Sequence, residues 1–407
     1  MNSFIENDQK SAQQTAILWR TTLAREAIIP PSILENPQTG QKEILIQDKQ
    51  HIVYLMNRGG DILWRKKLDQ AILSDIFQVD YNDNGEAQIM FNTKNNIHLL
   101  DRKGKYMNHY PLRLNSPATN GMLVCDFTKR KEYRFFVACE NKNIYGFDLD
   151  GQPLTGWNPK MNMGKVIYPM QHFQKNKKDY LVAMNTRGKL FVFKQNGDKR
   201  WKPKTFNAQF LSPPDYQKID GASRIVATDI KGKIHIVNME GAYFKLNLKS
   251  KNDGPMKFIF SDVGGDDRKD YIGLNDREIN CYHYDENKFT KMFDIQMETQ
   301  TDEIFEVSGL KNKQMIGTLC KEQAKIHLIN GAGEVHDGFP LAGSTKFSIV
   351  DLYNNQKNIL VVGNGNSVYV YQMDGANLVG AEKEKSNESI SDLPSVDENP
   401  KVVKSSL

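Results

Sequence analysis

The 407 residues include 54 basic and 49 acidic side chains, for a net charge of +5, with 39% apolar and 25% charged residues. That is the make-up of a soluble globular protein, and no run nears the roughly 18 apolar residues of a membrane span. The four cysteines (Cys125, Cys139, Cys281, Cys320) form no CxxC pair or other metal spacing; a Cys125–Cys139 bridge is open to them, and free buried thiols fit them better.

From the N-terminus, residues 1–16 lack strand patterning and read as a flexible segment, and Met1–Thr15 lacks the basic and apolar regions of a signal peptide. The next run, Leu18-Trp19-Arg20-Thr21-Thr22-Leu23, closely copies Leu63-Trp64-Arg65-Lys66-Lys67-Leu68. The second copy follows Gly60, which begins a series. Short β-rich runs such as Asn96–Leu100, Asn143–Phe147, Lys189–Phe193, Lys233–Val237, Lys325–Ile329 and Ser367–Tyr371 each lead into a tight turn ending in glycine. Glycine suits the positive φ that short hairpin turns require.

The turn glycines are Gly60, Gly104, Gly151, Gly197, Gly241, Gly333 and Gly375, and Asn287 fills the remaining slot. Asparagine is the next best residue for a left-handed turn. Successive anchors lie 44, 47, 46, 44, 46, 46 and 42 residues apart, the length of one four-stranded propeller blade. Two further strands precede each hairpin, as in Ile167–Phe173 and Asp179–Met184.

The expected fold is therefore all-β: a closed eight-bladed β-propeller over residues 17–380, built of four-stranded blades. All four tryptophans (Trp19, Trp64, Trp157, Trp201) fall in the outer-strand part of the unit. Trp19 has no anchor before it, whereas only the weak run Ala376–Gly380 follows the last one. Residues 17–23 are thus expected to supply the outer strand of the eighth blade and remove the open sheet edge. Residues 381–407, rich in Lys, Glu, Ser, Asn and Asp, read as a disordered polar tail. From Gly380 onward six acids face four lysines, a net −2 that leaves +7 on the body.

Two groups invite a metal reading. His98, His235 and His327 each lie six residues before an anchor, a slot filled elsewhere by Tyr54, Tyr145, Phe191 and Tyr369. They are one repeat position on three separate blades, so packing is expected rather than a shared ion. Asp262, Asp266 and Asp270, at positions 1, 5 and 9 of a turn between strands, resemble the calcium loops of FG-GAP (integrin-type) repeats. Gly264 stands where an Asn or Asp ligand is usual, and Asp267 where glycine is usual. The loop of Asp80, Asn82 and Asn84 is a second version, and the competing reading of both is that Asp and Asn cap hairpin turns. Calcium is the one cofactor the sequence suggests. No nucleophile elbow, phosphate-cradling glycine loop or HExxH is present.

The turns Gly60-Asp61-Ile62-Leu63-Trp64 and Gly197-Asp198-Lys199-Arg200-Trp201 resemble those of quinoprotein-dehydrogenase-like propellers. That superfamily holds pyrroloquinoline quinone enzymes and a non-catalytic outer-membrane assembly lipoprotein. The enzymes carry adjacent cysteines and a tryptophan in nearly every blade; here no two cysteines adjoin and four blades have the tryptophan. Asp61–Leu68 and Met90–Ile97 further resemble the propeller region of bacterial cell-envelope proteins that have no assigned activity. The resemblance implies a non-enzymatic, monomeric scaffold for a protein partner in the periplasm or cell envelope. A carbohydrate-binding or carbohydrate-cleaving propeller is the alternative and a quinoprotein oxidoreductase the third reading. The lysine clusters sit at turns of separate repeats, so no nucleic-acid partner is expected.

Overall fold

The computed structural model describes residues 16–219, 221–248, 254–285, 288–308 and 314–373, with two short strands at 383–385 and 403–404. The anchor slots Asn287 and Gly375, the run Ala376–Gly380, residues 1–15 and the rest of 381–407 lie outside the described residues. Eight antiparallel sheets follow one another along the chain as the blades of a ring. Among the described residues no helix occurs, so none is long and apolar enough to cross a membrane.

Blade 1 comprises Ser32–Glu35, Lys42–Gln47, Ile52–Asn57 and Ile62–Lys67 from the inner strand outward, each paired with the next. Blades 2 and 4 to 7 repeat this order. In blade 8 the inner three strands, Phe347–Val350, Ile359–Asn364 and Ser367–Gln372, come from the end of the chain. The outer strand is Ala16–Thr22, antiparallel to Ser367–Gln372 with Arg20 opposite Tyr369, which is the closure read from the copied Trp19 motif. Lys383–Lys385 lies parallel beside Trp19–Thr21, and Val403–Lys404 beside Leu112–Arg113.

Blade 3 is the least regular. Its three named strands are Leu123–Asp126, Tyr133–Ala138 and Ile144–Asp148. A winding segment holds the fourth place through bridges from Pro153 to Phe147 and from Lys160 to Ile144. Pro153 and Pro159 lack the N–H a ladder needs, and Gly156 turns the backbone at φ +81°, so a regular strand cannot form.

Every blade is covered on both faces, which is why its middle strands read as unbroken apolar runs rather than alternating ones. Eight apolar clusters result, one at each junction between neighbouring blades. In blade 2, for example, Ile89 packs toward blade 1 and Met90 toward blade 3.

The anchor glycines adopt φ between +76° and +88° at all six described positions. An Asn or Asp three residues earlier holds most of these turns. Asn57 Oδ1 accepts the N–H groups of Gly59 and Asp61, and Asp101, Asp148, Asn238 and Asn330 do the same in their blades, at 2.7–3.2 Å. Each turn also receives a side chain from the preceding blade. A Cβ on Gly60 would sit 2.7 Å from the Trp19 ring, one on Gly104 2.9 Å from Trp64, and one on Gly241 2.8 Å from Trp201. Leu112 fills this role at Gly151 and Phe293 at Gly333. The indoles of Trp64 and Trp157 donate to the carbonyls of Arg102 and Gln195, at 2.9 and 2.6 Å, tying each blade to the next.

Candidate interaction face

Strand direction divides the loops between two faces. The turn from inner to second strand and the glycine turn from third to outer strand share one face. The turn from second to third strand, and the link from one blade's outer strand to the next blade's inner strand, share the other, here the link face.

The acidic loops lie on the glycine-turn face. Asp262 Oδ1 accepts N–H from Gly265 and Asp266, and its Oδ2 from Asp267, at 2.7–3.1 Å. Asp270 Oδ2 accepts from Val263 and Gly264, while its Oδ1 lies 2.7 Å from His283 Nδ1. Asp266 accepts from the Arg268 N–H and lies 3.4 Å from His283 Nε2. Burial pushes the Asp270 carboxyl up, against the opposing hydrogen bond from His283. The loop thus supplies most of the carboxylate oxygens with donors of its own. Among the described residues no group of three or more His, Cys, Asp or Glu is arranged to hold a metal ion.

The same device recurs three times. Asp80 accepts from Asn84 and Gly85, Asp126 from Thr128 and Lys131, and Asp351 from Asn355 and Gln356, all at the end of an inner strand. Two of these loops, at Asp126 and Asp351, escaped the sequence reading because no second acid follows at metal spacing. Lys131 also reaches across from blade 3 to Asp80 at 2.6 Å.

The three histidines stay in separate blades and bond within them. His98 lies 3.2 Å from Thr93 Oγ1 and 2.9 Å from the Tyr106 hydroxyl. His235 lies 3.2 Å from Asp229 Oδ2 and 2.8 Å from the Tyr243 hydroxyl, and His327 3.1 Å from Thr318 Oγ1. His98 and His235 latch their strands to the preceding turn, as Tyr54 does by donating to Asp48 at 2.8 Å, whereas His327 bonds its cross-strand neighbour Thr318. All four cysteines are free and buried. Cys125 and Cys139 pack into different junctions, toward blades 4 and 2, so no bridge joins them.

The link face has its own regular pattern. Ile28, Leu73, Ile167 and Leu211 each stand four residues before an inner strand and are 36–43% exposed. They belong to blades 1, 2, 4 and 5. The second-to-third-strand turns of blades 1 to 7 each bear a basic residue, from Lys49 to Lys321. Lys49, Lys94, Arg277 and Lys321 have carboxylate partners. Lys142, Arg187 and Lys231 form no ion pair among the described residues.

Cavities open on this face to either side of the link 206–214. One, of about 600 Å³, surrounds the inner strands of blades 5 to 7 and is lined by Tyr168, Leu211, Lys257, Glu303, Glu306 and Lys346. Its charges are largely matched: Glu303 takes Lys321 at 2.8 Å and Lys346 at 3.1 Å, which outweigh its burial and hold its carboxyl below the usual range. The other, of about 680 Å³, lies between blades 4 and 5 and is lined by Arg187, Lys231, Lys233 and Lys245 with the single acid Asp229.

The fold is shared with solved propellers of low sequence similarity. BamB from Moraxella catarrhalis aligns at TM-score 0.53 and 13% identity, over 89% of this chain and 99% of that one. BBS1N, solved in complex with ARL6DN, aligns at TM-score 0.51 and 10% identity, over 89% and 98%. Quinohemoprotein alcohol dehydrogenase from Comamonas testosteroni aligns at TM-score 0.57 and 8% identity, over 92% and 78%. No protein-family model matches the sequence, and no curated protein matches it.

Proposed function

We propose that this propeller is a non-enzymatic scaffold that holds a protein partner on its link face, and that it serves at the bacterial cell envelope. One observation carries the reading: Ile28, Leu73, Ile167 and Leu211 stand exposed at one register on one face. A core has no use for them there, and the pairs on adjacent blades, Ile28 with Leu73 and Ile167 with Leu211, offer a partner apolar contacts at one repeated position. Apolar packing at every blade junction makes the ring a rigid platform, and its loops present the contacts. Among the fold neighbours, BBS1N is solved bound to another protein, which supports the same use of the architecture.

The test is affinity capture from bacterial envelope extracts with the full chain, followed by cross-link mapping. The expected result is a partner cross-linked to link-face residues and lost from the variant I167E/L211E. Failure to recover any partner, together with clear glycan-array binding, would replace this reading with a carbohydrate-binding one.

A further inference from the structure

We propose that the cavity between blades 4 and 5 is the seat for an extended acidic peptide segment whose aliphatic side chains flank its carboxylates. This rests on the scaffold reading and narrows it to one sector of the link face and one class of partner.

Charge is the first argument. Arg187, Lys231, Lys233 and Lys245 face the cavity and form no ion pair among the described residues. Against these four cations stands only Asp229, a net +3, and Asp229 is already committed. Its Oδ1 accepts the N–H groups of Lys231 and Lys233 at 2.9 and 3.0 Å, and its Oδ2 faces His235. Burial opposes its ionisation, but these bonds outweigh burial and hold the carboxyl below its usual range. Among the described residues the excess positive charge therefore has no counter-charge, and a cavity concentrates its field.

Placement of the apolar side chains is the second. The Thr186 N–H donates to the carbonyl of Lys165 at 2.9 Å, and Ile167 follows two residues later. The Ile230 N–H donates to the carbonyl of Gln209 at 3.0 Å, and Leu211 follows two residues later. Ile167 and Leu211 thus stand near the basic turns of blades 4 and 5, just outside the cavity lining, with Leu211 also lining the neighbouring cavity. Exposed Asn207 and Gln209 on the dividing link supply amide groups suited to a peptide backbone.

Nucleic acid fits less well, because such sites set cations beside aromatic faces free to stack on bases. Here the rings are in use. Phe206 packs on His235 with centroids 4.7 Å apart, and the Tyr243 hydroxyl is tied to His235. Of the three rings lining the cavity, Tyr243 keeps 38% of its surface exposed, a single platform rather than the succession on which bases stack.

The experiment is selection from a phage-displayed library of random twelve-residue peptides on the immobilised full chain. Enriched peptides are then measured by fluorescence anisotropy. Enriched sequences should combine Asp or Glu with Leu, Ile or Val, and their binding should weaken about tenfold or more between 0.1 and 0.5 M salt. The variant R187E/K231E should lose that binding, and K49E/K94E on blades 1 and 2 should keep it; both should melt as the parent does. Enrichment of neutral or basic peptides, or equal binding to R187E/K231E, would overturn the proposal, as would equal competition by a twelve-residue thymidine oligonucleotide. Capture of an envelope partner that survives R187E/K231E would leave the scaffold reading standing and remove this site alone. Peptide selection without any captured partner would do the reverse.

Discussion

The indole of Trp19 lies against Gly60, so closely that a Cβ on that glycine would come within 2.7 Å of the ring. Trp19 belongs to the outer strand of blade 8 and Gly60 to the turn of blade 1, so this contact is the seam of the ring. Thr21 reinforces it, its hydroxyl donating to the Gly60 carbonyl at 2.7 Å. Gly60→Ala should therefore cost about 2–5 kcal/mol, from a left-handed backbone and a clash with a buried ring together. Urea unfolding of the variant checks this; a loss below about 0.5 kcal/mol would show that the seam yields easily.

Removing residues 1–22 should be far worse than any single change at the seam. The deletion leaves Ser367–Gln372 as an open edge and strips Trp19 from the cluster between blades 8 and 1. The expected outcome is loss of the cooperative melt and a shift to larger species in size-exclusion chromatography. A truncated chain that melts as the parent does would mean that another segment closes the ring.

His98 should make stability fall as the solution is acidified. Burial, with a smaller contribution from nearby Lys66, lowers its pKa from 6.5 to about 3 in the folded chain. Its neutral form is the one the fold accepts, so its contribution is complete above pH 6.5. Between 6.5 and 3 the unfolded chain gains a proton that the folded chain refuses, and stability is lost at up to about 1.4 kcal/mol per pH unit. Comparing urea unfolding at pH 7 and pH 5 for the parent and His98→Gln isolates this share. An unchanged difference between the two proteins would rule out His98 as its source.

The loop at Asp262 should behave as a turn closed by its own N–H groups. Asp262→Ala removes the acceptor for Gly265, Asp266 and Asp267 and should cost about 1–3 kcal/mol. Chelator should leave the melting temperature of the parent where it is. Calcium found by elemental analysis of the purified protein, with a melt lowered by chelator, would instead establish Asp262, Asp266 and Asp270 as an ion-binding loop.

The ring was legible because its period rests on backbone demands that few residues meet. Gly104 and Gly241 turn at φ +79° and +85°, and only a small residue leaves room for the indole of the preceding blade. The closure was legible because Trp19 carries the same docking role as Trp64. Leu112 and Phe293 dock in the same way but hid in the sequence, since any bulky apolar side chain can fill that space and nothing local marks it. The basic cavity was hidden for a different reason. Arg187 and Lys245 are 58 positions apart and look like ordinary turn and strand cations until blades 4 and 5 stand side by side.

Pairing of Ala16–Thr22 with Ser367–Gln372 also sets an order in time. The first strand of the ring leaves the ribosome about 345 residues ahead of its partner, which at about 5–20 residues per second is a wait of roughly 20–70 s. During that interval Leu18 and Trp19 sit on an unclaimed strand while seven blades assemble behind them. A chain released from a stalled ribosome before residue 367 would carry Ala16–Thr22 without its partner, an unpaired apolar strand open to other chains.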